Sequence, residues 1–77
     1  MTIHIQIKLF ATFLEKLPEN NDNFPVKEGT TVANLVDMLG IGQKDAKLIF
    51  INGRKGELDS ILQEGDRVGL FPPVGGG

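Results

Sequence analysis

The segment of this sequence best suited to chemistry carries no functional side chain. After Phe71 the chain reads Pro72-Pro73-Val74-Gly75-Gly76-Gly77. The paired prolines lock φ and favour a stiff, extended start. The glycines that follow have no side chain to restrict φ and ψ. Residues 72–77 reach on the order of 20 Å at about 3.3 Å per residue. Chemically this is a narrow probe ending in a carboxylate. It suits a channel that a side chain would block, and the carboxyl carbon of a glycine is open to attack. With glycine at about 7% of average usage, a triplet at one chosen position arises by chance with a probability of about 3 × 10⁻⁴. Chain ends also fray without purpose, but this tail leaves the last strand with no linker and has Pro-Pro at its root.

Other chemistry is poorly supplied. His4 is the single histidine; it falls on the wet side of an alternating segment, with no carboxylate paired to it nearby in sequence, and a general base needs a positioned partner. Asp59, Glu64 and Asp66 read as turn formers and surface acids. The acids lack the spacing of a calcium loop, and the glycines at 40, 42, 53, 56 and 65 follow no dinucleotide or phosphate-loop pattern. Cysteine is absent, which excludes disulfides, thiolate metal sites, iron–sulfur clusters and a cysteine nucleophile, and indicates no adaptation to an oxidising compartment. Eight basic and ten acidic residues give a net charge of −2, against nucleic acid as the main ligand. Lys44 and Lys47 read as solvated. The expectation is a protein with no catalytic side chains, no metal site and no stably bound cofactor.

A body must position the tail. The chain has 77 residues, 40% apolar and 23% charged, enough for one domain with a marginal core. Ile3, Ile5, Ile7 and Leu9 alternate with His4, Gln6 and Lys8, which predicts a strand with one buried face. Phe10, Phe13, Leu14 and Leu17 fall at helical spacing and predict a short helix stopped by Pro18. Phe24 and Val26 share a face of a second strand, placed at a sheet edge because Pro25 cannot donate a ladder hydrogen bond. Thr31 is placed to cap a helix with the stripe Val32, Leu35, Val36 and Leu39, and Gly40 to stop it. Leu48 to Ile51 reads as a strand, Asn52-Gly53 as a hairpin turn, Arg54 to Leu58 as a short return, Glu64-Gly65-Asp66 as a turn, and Arg67 to Phe71 as the last strand. The longest apolar run, Leu48 to Ile51, is far too short to span a bilayer, and no signal-peptide pattern follows Met1, so the cytoplasm is the expected setting.

This order predicts a two-layer α+β domain. A β-grasp is the natural candidate, with the first and last strands parallel at the sheet centre; the spacing also suits another small α+β roll. Parity sets Phe71 opposite Val68 and Leu70, on the open face, where an aromatic suggests an interface. Phe10 shares the parity of His4, Gln6 and Lys8, which would put it beside Phe71. The reading adopted instead gives Phe10 to the short helix, packed inward with Phe13 and Leu14.

The sequence resembles the MoaD/ThiS family of ubiquitin-like sulfur carriers along essentially its whole length. The matching pieces are Ile3-His4-Ile5-Gln6-Ile7-Lys8-Leu9-Phe10, Gly29-Thr30-Thr31-Val32 and Ile51-Asn52-Gly53. The most telling is Glu64-Gly65-Asp66-Arg67-Val68 running into Leu70-Phe71-Pro72-Pro73-Val74-Gly75-Gly76-Gly77. Phe-Pro-Pro-Val before a terminal Gly-Gly looks like the MoaD branch, the small subunit of molybdopterin synthase; Gly75 stands where many relatives have a side chain. The resemblance implies a ubiquitin-like β-grasp over residues 1–71, a mixed sheet of four to five strands on one main helix plus a short one, and a flexible functional tail at 72–77. It implies that an adenylating enzyme of the ubiquitin-activating type uses ATP to convert the Gly77 carboxylate to an acyl-adenylate. A sulfurtransferase then supplies the sulfur of a thiocarboxylate, and the molybdopterin synthase large subunit receives the tail. The reactive terminus would be Gly77 with Gly76, and the partner-binding arm Phe71, Pro72, Pro73, Val74 and Gly75. A carrier for thiamine, tRNA thiolation or a tungsten cofactor, a ubiquitin-like protein modifier, and a passive interaction domain are the alternatives, in that order.

Overall fold

The computed structural model describes residues 1–73. Its strands are β1 (Thr2–Leu9), β2 (Phe24–Lys27), β3 (Leu48–Ile51), β4 (Arg54–Lys55) and β5 (Arg67–Phe71), and its α-helix is α1 (Val32–Leu39). They form one five-stranded sheet in the order β2-β1-β5-β3-β4. β1 and β5 run parallel at its centre, and the other pairs are antiparallel. β2, with Pro25, lies at the edge, where its missing donor costs no ladder bond. This is the ubiquitin-like β-grasp.

The alternation in β1 does what its period requires. Ile3, Ile5, Ile7 and Leu9 are buried while the residues between them are not. They meet Val68 and Leu70 of β5 and Val32, Leu35 and Val36 of α1, which are fully buried. Fully burying an aliphatic side chain contributes about 1.5–3 kcal/mol, so this layer between sheet and helix dominates the stability. α1 is held at both ends. Thr31 and Asn34 form a reciprocal capping box. The other first-turn amides of the helix are also met: those of Val32 and Ala33 donate to the carbonyls of Ser60 and Leu58, and that of Leu35 to Thr31. Gly40 closes the helix at φ 78°, a left-handed stop that glycine adopts without a Cβ penalty.

The short helix expected before Pro18 forms, with 3₁₀ rather than α geometry, and two details differ. Ala11–Lys16 is a 3₁₀ helix that buries Phe13 and leaves Leu14 57% exposed. With about three residues per turn rather than 3.6, the i+4 position rotates off the face that i+3 keeps. The return strand is also shorter than Arg54 to Leu58: β4 is only Arg54–Lys55. The chain then turns inward at Gly56, where an added Cβ would lie 2.8 Å from Ile51 Cδ1.

Candidate functional site

β5 carries the root of the tail. Its alternation sends Val68 and Leu70 into the core and leaves Arg67, Gly69 and Phe71 on the open face. The register sets Lys8 of β1 and Phe50 of β3 on either side of Gly69, and Leu48 beside Phe71. Gly69 has no side chain, so the face is hollowed there. The result is a shallow groove of about 310 Å³, walled by Phe10, Phe50 and Phe71 and flanked by Lys8 and Arg67. A Cβ at Gly69 would meet Phe10 Cε2 at 3.7 Å and Phe50 Cβ at 3.9 Å, ordinary contacts that leave room for a small side chain from outside.

Phe71 joins this cluster together. Its ring stacks on Phe10 with centroids 4.1 Å apart and planes 2° from parallel. Phe50 meets it edge-on, at 5.7 Å and 82°. Phe10 therefore does not pack inward with Phe13 and Leu14 as expected. Leu9 is buried, and Phe10 keeps an extended backbone (φ −126°, ψ 156°) that carries the strand alternation one residue further. The chain turns only at Ala11, with φ 54°. Phe10 is 40% exposed and lies beside Phe71, as parity alone indicated.

The far end of β5 is fixed by a polar latch. Asp66, expected at the surface, is 9% exposed. Its Oδ1 accepts from Asn52 Nδ2 at 2.9 Å and its Oδ2 from the Gln63 amide at 2.8 Å. Asn52 Oδ1 in turn accepts from the Arg67 amide at 2.9 Å. Asn52 thus serves twice: its φ of 55° makes the hairpin turn with Gly53, and its amide ties that turn to the start of β5. Glu64 Oε1 accepts from the backbone amide of His4 at 3.0 Å, so this carboxylate caps the strand rather than partnering the imidazole. Lys44 and Lys47 are exposed.

Of the residues assigned to the partner arm, Phe71 and Pro72 are half-buried and Pro73 is exposed. Val74, Gly75, Gly76 and Gly77, including the terminus expected to react, lie outside the described residues. The sequence alone does not mark Phe50, Gly69, Lys8 and Arg67 as site residues. The parity of Arg67, Gly69 and Phe71 was the available signal for the groove. Among the described residues, no group of three or more His, Asp or Glu is placed to hold a metal ion. No helix among them is long and apolar enough to cross a membrane.

Solved structures share this architecture. A Haloferax volcanii protein, HVO 2177, aligns over 99% of this chain and 88% of its own, with 27% identity and a TM-score of 0.78. Small archaeal modifier protein 1 of H. volcanii covers 94% and 99% at 26% identity and a TM-score of 0.69. A candidate molybdopterin converting factor, subunit 1, from Pyrococcus furiosus covers 94% and 99% at 27% identity and a TM-score of 0.63. No curated protein matches the sequence significantly. The ThiS family model matches residues 7–77, from the middle of β1 to the last glycine. By fold and by this match, the chain belongs to the ThiS family, with the ubiquitin-like fold of the MoaD/ThiS sulfur carriers.

Proposed function

We propose that this protein carries sulfur as a thiocarboxylate on Gly77 and delivers it in molybdopterin synthesis, as the small subunit of molybdopterin synthase. The observation that carries the reading is the family match running through the terminal glycines, joined to a tail that leaves a central strand directly. The Gly77 carboxylate attacks the α-phosphorus of ATP on an adenylating enzyme and pyrophosphate leaves; sulfide (HS⁻) then attacks the acyl carbon, AMP leaves and a thiocarboxylate remains. The chain needs no acid, base or metal of its own, because its terminus is the substrate. The arm Pro72–Gly77 enters the partner, and the aromatic face around Phe71 seats the body against it. The likeness to a converting-factor subunit 1 favours molybdopterin as the destination over thiamine or tRNA. The test is intact mass spectrometry after incubation with the cognate adenylating enzyme, ATP and a sulfur source. The reading expects one oxygen replaced by sulfur at Gly77, and a terminus that stays a carboxylate refutes it.

A second reading, a ubiquitin-like protein modifier, is favoured by the likeness to small archaeal modifier protein 1. Gly77 would then form isopeptide bonds with lysines. Higher-mass conjugates that disappear on deleting Gly77 would support it, and both fates can follow from the same acyl-adenylate.

A further inference from the structure

We infer that the groove on the open face receives an acidic segment of the activating partner: an aliphatic side chain seated over Gly69, with carboxylates on either side of it. This deepens the carrier reading and rests on it. The apolar half of the inference follows from the walls. Phe10, Phe50 and Phe71 line the groove over a strand position that lacks a side chain, so an inserted methyl or isobutyl group would bury apolar surface against Phe10 and Phe50. The charged half follows from the rim. Lys8 and Arg67 flank the groove, and no acidic residue lines it among the described residues. Lys55 pairs with Phe50 across the ladder and therefore shares this face. All three cations are exposed.

The chain as a whole is acidic, with ten acids against eight bases, so this basic face is a local segregation of charge. β1 and β5 carry no acid, and the two carboxylates of the turn before β5 are committed elsewhere: Glu64 accepts from the His4 backbone and Asp66 from Asn52 and Gln63. A cationic rim around an apolar floor selects a partner of opposite sign and speeds its approach. Aromatic rings with cations also make a platform for single-stranded nucleic acid. The acidic balance of the chain and the tail rooted beside the groove favour a protein that must take the tail as well.

The test uses the full chain and its cognate adenylating enzyme, with affinity measured by calorimetry from low to high salt. Lys8→Glu and Arg67→Glu should each weaken binding about tenfold at low ionic strength and flatten the salt dependence. Lys8→Arg should stay within about twofold of the unaltered chain, and so should Lys47→Glu, an exposed reversal away from the groove. Thermal melts check that every variant is folded. Reversals that bind as tightly as the unaltered chain, an affinity indifferent to salt, or tighter binding of a single-stranded oligonucleotide than of the enzyme would each overturn the inference. If the unaltered chain is normally activated but the reversals change nothing, the inference alone falls. If the unaltered chain is neither bound nor adenylated, the carrier reading falls and takes the inference with it.

Discussion

Replacing Asp66 by asparagine changes one atom in the latch and should cost far more than its size suggests. Asp66 is 9% exposed and accepts two hydrogen bonds, one at each carboxylate oxygen, at 2.9 and 2.8 Å. In Asp66→Asn one acceptor becomes an amide donor, which must face either Asn52 Nδ2 or the Gln63 amide. Asn52 cannot relieve the conflict by flipping, because its Oδ1 already accepts from the Arg67 amide. A hydrogen bond to a charged group contributes about 1.5–3 kcal/mol, and leaving a buried donor unpaired costs about 1–3 kcal/mol. The partial exposure of the site selects the lower half of that range, so a loss of about 2 kcal/mol is expected, or roughly 10 °C in the unfolding midpoint of a domain this small. Urea unfolding of Asp66→Asn against Asp59→Asn, an exposed acid that should move by no more than about 0.5 kcal/mol, measures it. Asn52→Gly keeps the turn and removes only the amide; with Asp66→Ala it should show a coupling of at least about 1 kcal/mol in a double-mutant cycle. An Asp66→Asn loss no larger than that of Asp59→Asn, or a coupling near zero, would refute the claim that this pair ties the hairpin to β5.

The remaining predictions concern other joints of the same body. Phe10→Ala and Phe71→Ala should be coupled by about 0.5–1.5 kcal/mol in thermal or urea unfolding, and additive losses would mean the 4.1 Å stack contributes nothing specific. Gly40→Ala should cost about 1 kcal/mol through its φ of 78° alone, because only the tip of Lys16 lies near, at 3.9 Å; calorimetric melting checks it. Thr31→Ala should lose about 1 kcal/mol by removing one arm of the capping box, and an unchanged melting midpoint would show the helix start held by Ser60 and Leu58 instead. Deleting Gly76 and Gly77 should leave the melting midpoint unchanged and, under the carrier reading, leave intact mass with no thiocarboxylate to detect after incubation with the adenylating enzyme.

Most of the body was legible because its signals are local. Period-2 burial in β1, the stripe Val32-Leu35-Val36 with Thr31 before it and Gly40 after it, and Asn52-Gly53 all appear where their own chemistry demands. What stayed hidden depends on residues far apart in sequence. Asp66 reads as a surface turn residue until β3 and β5 pair, because only that pairing brings Asn52 within reach of it. The groove needs β1, β3 and β5 side by side before Lys8, Phe50 and Gly69 share a row. Phe10 sits where two periodicities overlap: it satisfies both the strand parity of β1 and the helical spacing of Phe13 and Leu14. The turn at Ala11, which decides between them, uses a positive φ that no glycine announces.

The placement of β5 bears directly on what a carrier must withstand. In the proposed role the tail is drawn into a partner and, after the chemistry, withdrawn again, so the root would have to hold while the arm moves. β5 is hydrogen-bonded to β1 on one side and β3 on the other, and moving its end would break bonds in both ladders at once. Val68 and Leu70 anchor it from below, fully buried, and the Asn52–Asp66 latch holds its start. A tail rooted on an edge strand such as β2 would have one ladder to resist the same pull. Rooting the arm at the sheet centre also sets Phe71, the last residue of β5, among Phe10 and Phe50. A partner that grips the aromatic face therefore holds the arm at a fixed origin, with Pro72 and Pro73 setting its first direction. In the proposed role such a body can be catalytically bare, because it would only have to present one carboxyl group at a defined distance from a defined surface.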